Sequence, residues 1–173
     1  VDYIPSDINL ANADIFLANA LSRETILKRI MAHPIMDKYD FILCDCLPSL
    51  GVLLLDALTA AHYMVIPAQP QKFALDGMQS LMNVYTQIRS TVNPGLQLLG
   101  VLPTFVDNTT VSRNGLQLLS ERYGHNVFET SIHKSVEAAK SSETRRALCL
   151  TKCKLGEEYK SVASEILFIC GKG

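Results

Sequence analysis

The stretch YDFILCDCLPSLG, residues 39–51, decides the fold of this 173-residue chain. Residues 39–44 are mostly aromatic or aliphatic and predict a buried strand. Asp45 follows directly, and a turn rich in Pro, Ser and Gly comes next. Because open α/β sheets bind ligands at the carboxyl ends of their strands, this order is typical of a nucleotide-hydrolysing domain that presents a carboxylate to Mg²⁺. The alternative is that Asp45 caps a helix beginning near Ser49.

The chain does not contain the phosphate-binding loop that such domains use. The motif G-x-x-x-x-G-K-S/T occurs nowhere in the 173 residues, and the only Gly-Lys pair is Gly171–Lys172. In that loop, backbone N–H groups and the lysine hold the nucleotide phosphates. The sequence therefore predicts one half of an ATPase site, and we expect the 173 residues by themselves not to hydrolyse ATP.

The composition is that of a packed α/β domain. Hydrophobic residues make up 48% and charged residues 19%, which excludes wholesale disorder. No apolar run approaches the roughly 20 residues that cross a bilayer. The net charge of −1 gives no general attraction to nucleic acid, and five cysteines, an odd number, suit a reducing cytosol better than a disulfide framework. We therefore expect a cytoplasmic protein.

Strand-like and helix-like runs alternate along the whole chain. Short runs of β-branched, aliphatic and aromatic residues predict strands at 1–4, 39–44, 63–67, 98–105 and 127–130. Apolar residues at helical spacing predict the longest helices at about 74–92, 112–123 and 155–167. The middle strands are almost continuously apolar, as in sheets that helices cover on both faces. The predicted fold class is α/β, with a doubly wound and mostly parallel sheet.

Residues 45–51, DCLPSLG, resemble the D-C-P-P-S-L-G segment of the ParA family. Members of the ParA family are deviant-Walker ATPases that partition plasmids and chromosomes, and they are related to MinD. The resemblance continues in VIPAQP at 65–70, GVLPT at 100–104 and VFETSI at 127–132, and it extends in order over about residues 1–136. It implies a fold of the P-loop NTPase type whose first strand and phosphate loop are absent from the 173 residues. Residues 1–173 are accordingly expected to be the C-terminal part of a single ParA-like ATPase domain.

The resemblance also implies roles for individual residues. Asp45 is similar to the Walker B carboxylate that holds Mg²⁺ through water, and residues 48–51 resemble the switch that senses the nucleotide. ATP and Mg²⁺ are the implied cofactors. For Gln69 and Thr104, hydrogen bonding at the end of a strand is the alternative. The expected nucleotide-binding residues are Pro48, Gln69, Thr104, Ile132, His133, Lys134 and Ser135.

The region after residue 133 is locally basic, with six Lys or Arg and two Glu in residues 134–154. In ParA-like ATPases the ATP-bound dimer binds DNA non-specifically through basic residues on this side, and such contacts need only local positive charge. The alternative is a solvated helical face. A homodimer and a ParB-like adaptor are the other implied partners. The expected DNA-binding residues are Arg113, Lys134, Lys140, Arg145 and Arg146.

The predicted function is that of an ATP-switched DNA-partitioning ATPase of the cytoplasm, which would lie on the nucleoid when ATP is bound. Two other functions stay open. A MinD-like ATPase would cycle onto a membrane through an amphipathic C-terminal helix. The polar face of the helix at 155–167 carries Glu157, Glu158 and Glu165, a poor match to anionic lipid, so membrane binding is not expected. A shortened relative without the phosphate loop would instead be a non-enzymatic interaction module.

Overall fold

A computed structural model describes residues 1–6, 8–17, 19–47 and 49–171. The α-helices in this part of the chain are α1 (Ala13–Leu17), α2 (Ile26–Met31), α3 (Val52–Ala60), α4 (Lys72–Thr91), α5 (Thr110–Tyr123), α6 (Val136–Thr144) and α7 (Lys154–Ile169). The strands are β1 (Tyr63–Ala68) and β2 (Gln97–Pro103), and short 3-10 helices lie at Ile8–Asn12, Arg23–Thr25, Pro34–Lys38, Gly124–Asn126 and Leu148–Leu150. The chain divides into two compact units. The first unit consists of Val1–His62 and Leu81–Gln97, and the second consists of Tyr63–Ser80 and Leu98–Gly173.

The first unit is built around helix α3. Val52, Ala57 and Leu58 of this helix are buried, and α1 and α2 pack against it. Asp56, also buried on α3, accepts a hydrogen bond from the Leu27 N–H at 2.9 Å. This bond satisfies a backbone donor in the first turn of α2, where a helix has no internal acceptor. Burial raises the pKa of the Asp56 carboxyl above its ordinary value.

One amide joins the residues after α4 to the end of α3. Asn93 Nδ2 donates to Leu58 O at 2.9 Å and to Ala61 O at 2.8 Å. Both carbonyls lie at the C-terminal end of α3, where a helix lacks internal donors. Asn93 therefore ties the residues that follow α4 to the end of α3.

Parallel pairing of β1 and β2 forms the sheet. The two strands are hydrogen-bonded neighbours. Gln97 N–H donates to His62 O, and Thr104 N–H donates to Ala68 O, so both strands run in the same direction. The segment at 127–133 pairs in parallel with β2 and the turn after it through two single bridges. The predicted parallel sheet is confirmed.

Helix α7 buries its apolar face in the second unit. Leu155 and Val162 of α7 pack with Leu99 of β2 and with Phe128 and Ile132 of the segment at 127–133, and all five side chains are buried. The helices predicted at 74–92, 112–123 and 155–167 correspond to α4, α5 and α7, and no end is shifted by more than two residues. None of the helices that the structure describes is long and apolar enough to cross a membrane.

Three of the five strand predictions are wrong. The strands at 63–67 and 98–105 exist as β1 and β2, but residues 1–4 and 39–44 form no strand, and 127–130 contribute only a bridge at Val127. Extended backbone becomes a strand only when a neighbour pairs with it, whatever its composition. Phe41, Ile42 and Leu43 are 40%, 45% and 88% exposed, so within the described residues no sheet covers this segment.

Candidate functional site

The carboxyl ends of the parallel segments in the second unit meet at one edge. Thr104 N–H donates to Ala68 O at 2.8 Å, and Ile132 N–H donates to Pro103 O at 2.9 Å. Gln69, which directly follows β1, is exposed, and Thr104 is half-buried. The structure therefore brings Gln69, Thr104 and Ile132, three of the predicted nucleotide-binding residues, to the same edge.

Two backbone hydrogen bonds join the turn after β2 to the segment predicted to bind the base. Val106 N–H donates to Ile132 O at 3.1 Å, and Lys134 N–H donates to Val106 O at 2.9 Å. Between Thr104 and Val106, Phe105 has a φ of +54°, a left-handed conformation that costs a bulky residue roughly 1–2 kcal/mol. Its side chain is 59% exposed. The sequence gives no sign of this conformation, because Phe105 is not a residue type that favours a positive φ.

Asp107 opens helix α5 with a network of side-chain hydrogen bonds. Its Oδ1 accepts from the Thr109 N–H and the Thr109 hydroxyl. Thr109 Oγ1 accepts from Ser112 N–H, and Ser112 Oγ accepts from Asp107 N–H, both at 3.2 Å. The two Thr109 donors hold the pKa of Asp107 below its ordinary value, and the charge of Lys134 adds to this. Arg113, a predicted DNA-binding residue, is exposed in the first turn of this capped helix.

Two carboxylates of α7 hold the backbone of the segment at 129–133. Glu165 accepts from Glu129 N–H at 3.0 Å and from Thr130 N–H at 2.8 Å, one bond to each oxygen. Glu158 Oε2 accepts from His133 N–H at 2.9 Å, and its Oε1 lies 2.9 Å from His133 Nδ1. The Glu158 side chain is only 11% exposed. The sequence shows both residues as acidic positions on the polar face of a helix, but it gives no sign that they bind backbone donors.

The four predicted base-binding residues differ in their surroundings. Ile132 is buried, and the ring of His133 is engaged by Glu158. Lys134 is exposed. Ser135 caps helix α6, because its Oγ accepts from the backbone N–H of the second helical residue at 3.2 Å. The side chain of Ser135 therefore has a structural task in addition to its predicted one.

The basic residues around α6 are paired to different extents. Lys140 Nζ lies 2.7 Å from Glu137 Oε1 on the same helix. Arg145 ends α6 with a φ of +52°, and both Arg145 and Arg146 are exposed. Ser141 Oγ donates to Arg146 O at 2.6 Å, which fixes the turn that carries the two arginines. Because Glu137 offsets the charge of Lys140, Arg145 and Arg146 carry the strongest positive charge near α6.

Asp45 belongs to the first unit and is exposed in the extended segment between Cys44 and Cys46. Pro48, the first residue of the predicted switch, lies outside the described residues. Helix α3 begins at Val52, and its N-cap is Gly51. The alternative role for Asp45, capping a helix that begins near Ser49, is therefore wrong.

The surroundings of Asp45 fit one kind of metal site and not another. Across the described stretches 1–6, 8–17, 19–47 and 49–171, no three or more His, Cys, Asp or Glu side chains form a group that could hold a metal ion. Mg²⁺ usually keeps several waters and binds one or two carboxylates together with substrate phosphates. A single exposed carboxylate suits that arrangement, whereas a cage made only of protein ligands does not.

The chain matches one family and a set of relatives. The model of a family described as an AAA domain matches residues 1–98. The chain is 37% identical over 143 residues to an uncharacterized protein of Mycobacterium tuberculosis, covering 82% of this chain and 45% of the relative. It is 33% identical over 167 residues to the chromosome-partitioning ATPase Soj of Treponema pallidum, covering 95% of this chain and 66% of the relative. The chain thus spans 45–66% of the length of these relatives.

A solved structure has the same fold. The crystal structure of cobyrinic acid a,c-diamide synthase from Mycobacterium smegmatis with bound ADP and magnesium superposes with a TM-score of 0.76 at 33% identity, covering 96% of this chain and 62% of that chain. This likeness confirms the predicted α/β fold of the P-loop NTPase type. The chain therefore belongs to the family described as an AAA domain, and its recognition as ParA-like is confirmed.

Proposed function

We propose that this chain supplies the base-binding edge and the magnesium carboxylate of a cytoplasmic, ATP-dependent partition ATPase. The observation that carries the proposal is the edge formed by Gln69, Thr104 and Ile132 at the carboxyl ends of parallel segments, where open α/β sheets bind their ligands. Two similar proteins support it by their names, which state a chromosome-partitioning ATPase in one case and bound ADP and magnesium in the other. The two names describe different reactions, and an adenine nucleotide is the feature common to both.

Each site residue has a task that its position allows. Asp45 would hold Mg²⁺ through water, and the bound ion would supply the positive charge that offsets the phosphates. Gln69 and Thr104 bring an amide and a hydroxyl to the edge, and both groups can donate and accept hydrogen bonds. Residues 132–135 bring backbone to the base. Residues 48–51, which connect the Asp45 segment to α3, would sense the nucleotide state.

We also propose that the complete protein works as an ATP-dependent homodimer that binds DNA non-specifically on the nucleoid and takes a ParB-like adaptor as its partner. The exposed turn that carries Arg145 and Arg146 supports the DNA contact. DNA phosphates respond to local positive charge, so the net charge of −1 does not oppose binding.

Magnesium-dependent ATP hydrolysis by the complete gene product tests the main proposal. Asp45→Asn removes the charge that holds Mg²⁺ and is expected to lower hydrolysis at least about 100-fold. Asp37→Asn is the matched control, because Asp37 is an exposed carboxylate of the same unit, in the 3-10 helix Pro34–Lys38. The proposal fails if the complete product does not hydrolyse Mg-ATP, or if both variants hydrolyse it at the same rate.

A further inference from the structure

Phe105 combines two unfavourable features. Its φ of +54° lies in the left-handed region, where a bulky side chain is a genuine outlier. Its ring is 59% exposed, so much of the apolar surface that an aromatic side chain usually buries stays in water. Among the described residues, the other non-glycine residues with a positive φ are Ser22 and Arg145, which are polar. Strained backbone of this kind is concentrated at functional sites, so the position of this ring calls for a functional explanation.

The residues on both sides of Phe105 fix its conformation. Thr104 N–H donates to the last carbonyl of β1 at 2.8 Å. Val106 N–H donates to Ile132 O at 3.1 Å, and Val106 O accepts from Lys134 N–H at 2.9 Å. The side chain of Val106 is buried. A change in the φ of Phe105 would displace a residue that these contacts hold, so the surrounding structure keeps the ring at the surface.

The same bonds place Phe105 next to the edge proposed for the base. It directly follows Thr104, and the pairing of Val106 with Ile132 and Lys134 joins this turn to the proposed base-binding segment. A phosphate gains nothing from an apolar ring, whereas every base has a flat aromatic face on which such a ring can stack. An exposed phenylalanine in this turn therefore fits the base of a nucleotide.

We propose that the ring of Phe105 is a stacking platform for the base of the bound nucleotide. This inference rests on the proposed function. Because the backbone on both sides of the ring is fixed before the ligand arrives, binding orders little additional structure. Stacking is tolerant of base identity, so this contact supplies affinity and does not decide which base binds.

Phe168 provides an internal comparison. It belongs to the same unit and is 81% exposed, but it lies near the C-terminal end of helix α7, outside the proposed base-binding segment. If any exposed phenylalanine of this unit added affinity without a specific contact, replacing either ring should have the same effect. The inference instead assigns the effect to Phe105 alone.

The test measures the dissociation constants of Mg-ATP and Mg-tripolyphosphate for the complete gene product by calorimetry, together with Tm. Phe105→Asn removes the ring and keeps a residue type that tolerates a positive φ. It is expected to weaken Mg-ATP binding about tenfold and to leave the binding of tripolyphosphate, which has no base, unchanged. Phe105→Tyr retains the ring and should retain the affinity, and so should Phe168→Ala.

Stability separates stacking from a structural role. Phe105→Gly relieves the strain, so Tm should rise by about 2 °C while the affinity for Mg-ATP falls. A ring that only supports the fold would produce a lower Tm together with the weaker binding.

Fluorescence gives a second readout, since the 173 residues contain no tryptophan. The indole introduced by Phe105→Trp should lose emission when Mg-ATP stacks on it and should not respond to Mg-tripolyphosphate. Phe168→Trp is the matched control and should respond to neither ligand.

Each result bears on the inference. An unchanged affinity for Mg-ATP in Phe105→Asn overturns it, as does an equal loss of affinity for both ligands. Wild-type protein that binds the two ligands equally tightly also overturns it, because the base then contributes nothing, while the proposed binding of phosphates stands. Wild-type protein that binds neither ligand overturns the proposed function as well.

Two further cases are decided by additional measurements. If wild-type protein binds Mg-ATP but not Mg-tripolyphosphate, a tenfold loss in Phe105→Asn supports the inference when Tm does not fall and overturns it when Tm falls. Should Phe105→Asn fail to fold, Phe105→Leu keeps an apolar side chain without the ring, and the affinity for Mg-ATP must fall in that variant too.

Discussion

Replacing Gly115 by alanine is expected to destabilise the second unit, because helix α5 passes the backbone at Pro70 too closely for a side chain. A Cβ added at Gly115 would lie 2.1 Å from the Pro70 carbonyl oxygen and 2.5 Å from its carbonyl carbon, whereas real Cβ contacts essentially never fall below 3.0 Å. Both obstructing atoms are backbone, so no side-chain rotation relieves the clash. The helix or the residues after β1 must therefore move by about 1 Å.

The magnitude follows from two opposing terms. Alanine gains about 1 kcal/mol over glycine in a helix interior. Overpacking a buried site costs typically about 1–3 kcal/mol, and a clash with backbone belongs at or above the upper end of that range. Pro70 is fully buried, and Ser112 and Leu119 of α5 are 4% and 0% exposed, so little space is available for the shift. We expect a net loss of about 2 kcal/mol, which lowers Tm by about 4–8 °C in a chain of this size.

Gly77 on α4 offers the same substitution with the opposite expected sign. It is exposed, and a Cβ added there would meet no atom within 4 Å. Gly77→Ala should therefore raise Tm by about 2–4 °C through helix propensity alone. Thermal unfolding followed by circular dichroism measures both variants against wild type. A Gly115→Ala variant as stable as wild type would refute the close approach of α5 to Pro70.

Phe105→Gly is expected to raise Tm by about 2 °C, since glycine adopts a positive φ without steric cost. A lower Tm would show that the ring is packed. Asp56→Asn should be at least as stable as wild type at pH 7, because its amide oxygen still accepts from Leu27 N–H without a buried charge. Burial raises the pKa of Asp56, so ionisation of Asp56 lowers the free energy of unfolding as pH rises from the ordinary pKa of 3.8 to the raised pKa. Below pH 3.8 the carboxyl is protonated in both states, and the stability advantage of Asp56→Asn should vanish in unfolding measured there. Charge reversal at Arg145 and Arg146 should weaken duplex binding by the complete gene product and reduce the salt slope by about 2, and an unchanged slope would remove this turn from the DNA interface.

The parts of the fold that the sequence predicts correctly are those whose signal lies within the element itself or at its ends. β1 and β2 are joined by α4, and each is a short apolar run bounded by turn residues. Helices α4, α5 and α7 follow from apolar spacing, and α5 has a glycine, Gly124, as its C-cap. In all these cases the information lies within the element or its direct neighbours.

The strand predicted at 39–44 fails for the opposite reason. Its composition is as apolar as that of β1, yet β1 is paired and Leu43 is 88% exposed. A helix satisfies its own backbone groups, but a strand depends on another segment to do so, and composition does not name that segment. The sequence therefore predicts a potential for strand formation here, and the structure shows whether a partner lies beside it.

The candidate site also contains residues that the sequence predicts and contacts that it does not. Gln69, Thr104 and Ile132 are predicted as site residues through the resemblance to the ParA family, and the structure brings the three to one edge. The contact between Glu158 and His133 is not predictable from the sequence, because every residue except proline carries a backbone N–H. No motif indicates which of these N–H groups a distant carboxylate will bind.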